Sequence, residues 1–172
     1  AFIEQWQSES GRMAEAIRYS DDPARLPQLR AITAGSDHLI FIALDAAKSR
    51  VIRSYIDPDA PVFATSQIFS DAENFLRNNE LDGIEFVDMP WLLQPDHPAV
   101  MAYGQLDSKK SADMKRLYAL GIDAFRLMTH LLPPLLQPIE EISFDGVTGH
   151  IRFTPPNHFI REPVAARFEQ GK

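Results

Sequence analysis

Residues 38–56 read HLIFIALDAAKSRVIRSYI. His38 to Leu44 is a near-continuous apolar run of strand length, and a run without alternation predicts a strand buried on both faces of a parallel sheet. Asp45 follows, placed where a short carboxylate can accept the orphan N–H groups of a helix's first turn. The stretch AAKSRVIRSYI then repeats apolar side chains at helical spacing, with Val51, Ile52 and Tyr55 as its inward face. A strand followed by a capped helix is the repeating unit of an α/β layer.

The unit recurs downstream. Asp57-Pro58-Asp59-Ala60-Pro61 punctuates the chain, VFATS resumes as strand, and Ser70 or Asp71 opens a helix through Phe75 and Leu76. An Asn78-Asn79 turn leads to a third strand, Gly83–Val87, followed by Asp88, Met89, Pro90 and Trp91. Pro90 has no N–H for a sheet ladder, so regular pairing stops there and Trp91, Leu92 and Leu93 turn against a neighbouring element. Parallel strands joined by short crossovers wind right-handed.

On the N-terminal side, Phe2, Ile3 and Trp6 predict a helix over residues 1 to about 10, closed by Gly11. Glu15–Tyr19 fits a short strand or a continuing helix. Asp21-Asp22-Pro23 caps a helix carrying Leu26, Leu29 and Ile32, with Pro27 in its first turn or shortening it. On the C-terminal side a long helix runs from about Ser111 to Leu132, ended by Pro133-Pro134. Its broad apolar face, with Met114, Leu117, Tyr118, Ile122, Phe125, Leu127 and Met128, predicts burial. Gly121 within it costs about 1 kcal/mol against alanine and would permit close packing against another element. Residues 142–144 and 150–153 alternate around a five-residue connection, Asp145 to Gly149, which reads as a β-hairpin. Pro155-Pro156-Asn157 turns the chain again, and FIREPVAARF is one last extended segment. The fold class is α/β with an appended antiparallel hairpin.

Composition sets limits on function. A chain of 172 residues with 45% hydrophobic and 24% charged residues fits one soluble domain. It has no cysteine, which excludes disulfides, thiol catalysis and cysteine-ligated zinc. A net charge of -7 argues against a non-specific nucleic-acid binder, which needs a basic footprint. The short basic clusters, Lys109, Lys110, Lys115 and Arg116, and the scattered Arg152, Arg161 and Arg167, read as solvated faces. No stretch is apolar for the roughly 20 residues that span a bilayer. Starting without methionine or a signal segment, the sequence reads as a mature chain or an excised fragment.

Assembled chemistry is sparse. The five histidines, His38, His97, His130, His150 and His158, have no metal-ligand spacing, so no metal site is expected. There is no GxSxG elbow, no GxGxxG and no phosphate-binding glycine loop, so no cofactor is expected. Glu140-Glu141 lies in a linker with no cleft to raise one pKa. What remains is a constellation at the strand ends, where open α/β sheets present groups to ligands: Asp45, Ser66 and Asp88, each following its strand. Helix capping alone would also generate it. Trp91 is a further contact candidate, for packing or for a partner.

Four stretches are familiar together: PVFATSQIFS at 61–70, LDGIEFVDMPWLL at 81–93, RLYALGIDAFRL at 116–127, and GVTGHIRF at 146–153 with Arg161, Phe168 and Gly171 beyond. In order and spacing they resemble the LppC or LpoA family of bacterial outer-membrane lipoproteins. The resemblance implies a periplasmic, non-catalytic regulator that activates a class A penicillin-binding protein, a peptidoglycan synthase. It implies a domain like a type I periplasmic binding protein, with two Rossmann-like lobes. Residues 1–110 would be most of the second lobe without its first strand, and 111–172 a returning long helix plus terminal hairpin packed with it. The first lobe, the helical-repeat domain and the lipid-bearing cysteine would lie outside this sequence. One departure is local: Glu162-Pro163-Val164-Ala165 stands where the family has an aromatic, and a proline there suggests an edge strand. Alternatives to the regulator are a small-molecule sensor using the strand-end groups and, ranked last, a hydrolase with a noncontiguous site.

Overall fold

A computed structural model describes residues 2–35, 38–70, 78–104, 110–132 and 138–171. The expected helix through Phe75 and Leu76, Lys109 and the Pro133-Pro134 stop lie outside those residues.

The described residues form two sheets. The first has four strands in the order β1-β2-β3-β7, where β1 is Ile40–Ile42, β2 is Val62–Ala64, β3 is Glu85–Asp88 and β7 is Val164–Arg167. The first three run parallel, and β7 closes antiparallel to β3, with Phe86 opposite Ala166 and Asp88 opposite Val164. The second is an antiparallel meander of β4 (Ser143–Gly146), β5 (Gly149–Thr154) and β6 (His158–Glu162). Both the parallel α/β layer and the hairpin are therefore present.

Local signals placed most elements. Helix α1, Phe2–Ser10, ends at Gly11, whose φ of +67° suits glycine and whose N–H returns to the Gln7 carbonyl. Helix α2, Leu26–Thr33, carries Pro27 in its first turn, where a missing N–H costs nothing. Asp45 caps α3, Ala46–Arg53, by accepting the Lys48 N–H at 2.9 Å. The segment Glu15–Tyr19 takes neither of its two expected forms and is irregular.

β1 departs from expectation. It is three residues long, only Ile42 is buried, and Leu39 is exposed, because among the described residues β1 is the edge of the sheet. Phe41 finds cover from α1 instead, stacking on Phe2 at 3.8 Å between ring centroids. On α3 the inward residues are Ile52 and the following Ile56, with Tyr55 partly buried, whereas Val51 faces out. The core over the first sheet joins Ile42, Ile52, Ile56, Val62, Ile68, Leu81, Ile84, Phe86 and Phe168. Phe168 stacks on Phe86 at 4.8 Å and exchanges backbone hydrogen bonds with Gly83 and Ile84, which ties the C-terminus to the start of β3.

Two short helices follow β3: α4, Pro90–Leu93, and α5, Pro98–Met101. Trp91, Val100, Ala119 and Val147 form a second, smaller core beneath the long helix α6, Ala112–Leu131. Helix α6 starts where the sequence placed it, capped by the Ser111 hydroxyl. Its orientation departs from the expected one. Leu117 is 62% and Phe125 72% exposed, and Met114 and Met128 also face solvent, while of the expected face Ile122 packs against the second core and the half-exposed Tyr118 against Trp91. The inward face is instead Ala112, Arg116, Ala119 and Asp123, which recur at helical spacing. A Cβ on Gly121 would meet nothing, so that glycine serves no close approach.

The C-terminal strands differ in two details. The β4–β5 connection is two residues, Val147-Thr148, since the ladder continues to the Gly146–Gly149 pair. FIREPVAARF is two strands in different sheets, β6 and β7, with Pro163 between them where neither ladder needs an N–H. β7 is an edge strand, as the proline suggested.

Candidate functional site

Asp88 is the last residue of β3 and is 2% exposed. A buried carboxylate needs charge and hydrogen-bond partners, and Arg116 from α6 supplies them. Its Nε lies 3.2 and 3.3 Å from the two carboxylate oxygens, and one Nη donates to Asp88 Oδ2 at 2.7 Å. That same nitrogen reaches the carbonyl oxygens of Ser66 and Phe69, each at 2.7 Å, so two N–H bonds are shared among three acceptors. The second Nη pairs with Asp113 at 2.7 Å toward solvent. Burial alone would depress the guanidinium's pKa; the hydrogen bond and charge of Asp88, then those of Asp113, outweigh it and leave the pKa above its ordinary value. The cluster draws together the turn after β2, the end of β3 and the face of α6.

A second buried carboxylate sits two turns along the same face. Asp123 is 3% exposed and accepts the backbone N–H groups of Val147 at 3.1 Å and Thr148 at 2.8 Å, plus the Thr148 hydroxyl at 2.7 Å. It clasps the β4–β5 turn. A Cβ on Gly146 would lie 2.4 Å from Asp123 Oδ2, so glycine is what lets the turn approach the carboxylate. Arg126 extends the clasp, donating to the Asp145 carbonyl at 2.9 Å and lying 4.6 Å over the Phe144 ring. Beyond the turn, His150 meets Asp145 at 2.7 Å, which lowers the carboxyl's pKa through that hydrogen bond.

The four predicted site residues divide accordingly. Ser66 and Asp88 are brought together, joined by Arg116. Ser66 contributes its carbonyl, and Asp88 also accepts the Met89 N–H at 2.8 Å. Asp45 stands apart, its carboxylate engaged by the Lys48 N–H and by Lys48 Nζ at 2.6 Å, which hold its pKa down. Trp91 is 4% exposed; its backbone N–H donates to the Val147 carbonyl at 2.9 Å and its ring packs 5.4 Å from Tyr118. It is a packing residue in this chain.

Arg116 does not belong to a solvated basic face, since its side chain is 11% exposed. Asp123 belongs to no catalytic or metal-binding motif in the sequence. The available signal was their spacing, since both fall on the helix stripe that also carries Ala112 and Ala119. Among the described residues no cluster of three or more histidine, aspartate or glutamate side chains could hold a metal. Among the described residues no helix is long and apolar enough to cross a membrane. An open apolar depression of about 350 Å³ lies on α6 and its neighbour, lined by Tyr103, Tyr118, Gly121, Ile122 and Phe125.

The family profile described as "LppC putative lipoprotein" matches residues 33–171. The chain belongs to the LppC family. Among curated relatives, the penicillin-binding protein activator LpoA of Photobacterium profundum is 23% identical over 184 aligned residues, covering 88% of this chain and 29% of the relative. That of Aliivibrio fischeri is 36% identical over 72 residues, 42% of this chain and 12% of the relative. The chain thus spans less than a third of these LppC-family proteins. Among solved structures, the LpoA (YraM) C-domain from Haemophilus influenzae, described as a regulator of PBP1A, superposes with a TM-score of 0.74 at 20% identity, covering 99% of this chain and 54% of that one. A Chromobacterium violaceum protein described as a "putative branched-chain amino acid ABC transporter" superposes at 0.79 with 32% identity, covering 97% of this chain and 53% of that one. The blocks that carried the LppC resemblance are neighbours in space. Asp88 and Trp91 of the second block meet Arg116 and Tyr118 of the third, and Asp123 of the third holds Val147 and Thr148 of the fourth.

Proposed function

We propose that this chain is part of a non-catalytic periplasmic regulator, held at the outer membrane by a lipid anchor elsewhere in the protein, that binds and activates a class A penicillin-binding protein. The observation that carries the reading is the LppC profile across residues 33–171, joined to curated relatives that bear the activator's name. The mechanism is selective binding: contact that favours the synthase's active conformation shifts its population toward activity. Within the chain, residues 1–110 form the bulk of one lobe, and residues 111–172 return to it as a long helix and hairpin. The pairing of β7 with β3 supports that return.

The reading is tested with the purified full-length protein and a class A synthase. The expected result is direct binding and faster glycan polymerisation or crosslinking; neither binding nor a rate change would overturn it.

A solute-sensing alternative has the superposition on the Chromobacterium violaceum protein in its favour. Against it stands Arg116, whose guanidinium already engages the Ser66 carbonyl and the Asp88 carboxylate at the ends of β2 and β3. Defined heat on titration with a small solute would revive the alternative.

A further inference from the structure

Open α/β sheets receive ligands at the carboxyl ends of their parallel strands, where crossovers leave a crevice lined by free carbonyls and strand-end side chains. Asp88 ends β3, Ser66 and Phe69 follow β2, and their oxygens converge on a single nitrogen of Arg116. We propose that these strand ends form a guanidinium receptor and that α6 supplies its occupant, so that Arg116 is a tethered ligand closing the site to free solutes.

The chemistry fits a planar cation with several donors. A guanidinium meets both oxygens of Asp88 through Nε and Nη and still directs a donor to the two carbonyls, whereas an ammonium is a point charge without that fork. Water competes little, because the Arg116 side chain is 11% and the Asp88 side chain 1% exposed. The receptor cannot stand empty cheaply, since a buried carboxylate left without its cation is strongly destabilising. Occupancy by a free guanidinium and docking of α6 through Arg116 are therefore mutually exclusive. This holds whichever partner the protein binds.

The test uses Arg116→Ala and wild-type protein, each melted with low millimolar ethylguanidinium or ethylammonium at matched ionic strength. The variant should melt below wild type. Ethylguanidinium at ten times its dissociation constant should raise the variant's Tm by about 3–6 °C, with no such rise for ethylammonium or for wild type. Adding Asp88→Asn should abolish the response. If Arg116→Ala is insoluble, it is refolded with each cation, and soluble protein should return only with ethylguanidinium. Equal effects of the two cations, no effect of either, or equal responses of variant and wild type would overturn the proposal.

Discussion

Gly146→Ala should destabilise the protein chiefly through its contact with Asp123. The added methyl would stand 2.4 Å from Oδ2 and 2.8 Å from Cγ of that carboxylate, closer than real carbon contacts allow. Moving a free carboxylate aside is cheap, but this one holds two backbone N–H groups and a hydroxyl, all buried. Each buried donor left without an acceptor costs about 1–3 kcal/mol. Displacing the clasp should therefore cost about 2–4 kcal/mol, and Asp123→Ala, which abolishes it, about 3–5 kcal/mol. In the Asp123→Ala background these three closest contacts are gone, and the stiffer unfolded chain offsets residual cost by about 0.4–1 kcal/mol. The two substitutions should thus be coupled by at least about 2 kcal/mol, a Tm difference of about 4–8 °C for a chain of this size. Urea denaturation of wild type, both single variants and the double variant measures this directly. A Gly146→Ala cost that is equal in the two backgrounds, within about 0.5 kcal/mol, would refute the clasp.

Trp91→Ala should cost about 3–5 kcal/mol in thermal or urea unfolding, as expected for an emptied core site; unchanged stability would mean the indole is a contact residue after all. Asp45→Ala should cost about 1 kcal/mol at neutral pH as a lost helix cap. Lys48 holds the folded Asp45 pKa below its ordinary value, so the cap's contribution is full above the unfolded carboxyl's pKa of about 3.9 and disappears as pH falls through the lower folded value. Wild-type and variant stabilities, measured by urea unfolding against pH, should converge in strong acid; a gap that widens with acidification would contradict this.

Features fixed by neighbours in sequence were legible. Asp45, Ser111 and Gly11 mark helix ends because caps are made within a few residues, and Pro163 marks an edge because it lacks a donor. Features set by distant contacts were not. Periodicity on α6 revealed that one face is apolar, but it carries no information on which face the chain's own sheets would take. They took the stripe of Ala112, Arg116, Ala119 and Asp123, because two alanines let the strand ends and the hairpin turn come close enough for two charged side chains to be satisfied. The hairpin's connection is shorter than its sequence pattern suggests for a related reason. Asp123, 25 positions from Thr148, holds the two-residue turn from outside the hairpin. At the candidate site, the strand-end rule found Asp88 and Ser66, yet the group that joins them is a cation on α6, three elements after β3, and Asp45 belongs to local capping.

Helix α6 runs unbroken from Ala112 to Leu131, and its two buried charges lie seven residues apart, about 10 Å along the axis. One grips the strand ends of the four-stranded sheet and the other the turn of the three-stranded sheet. Mechanically, α6 is a strut with a rigid joint at each sheet, and the single residue Pro163 between β6 and β7 is a second, covalent tie. Two separate attachments remove the swivel that one would leave. A force applied at the hairpin therefore has a stiff load path to Asp88, and the two sheets must tilt as one body or tear a joint.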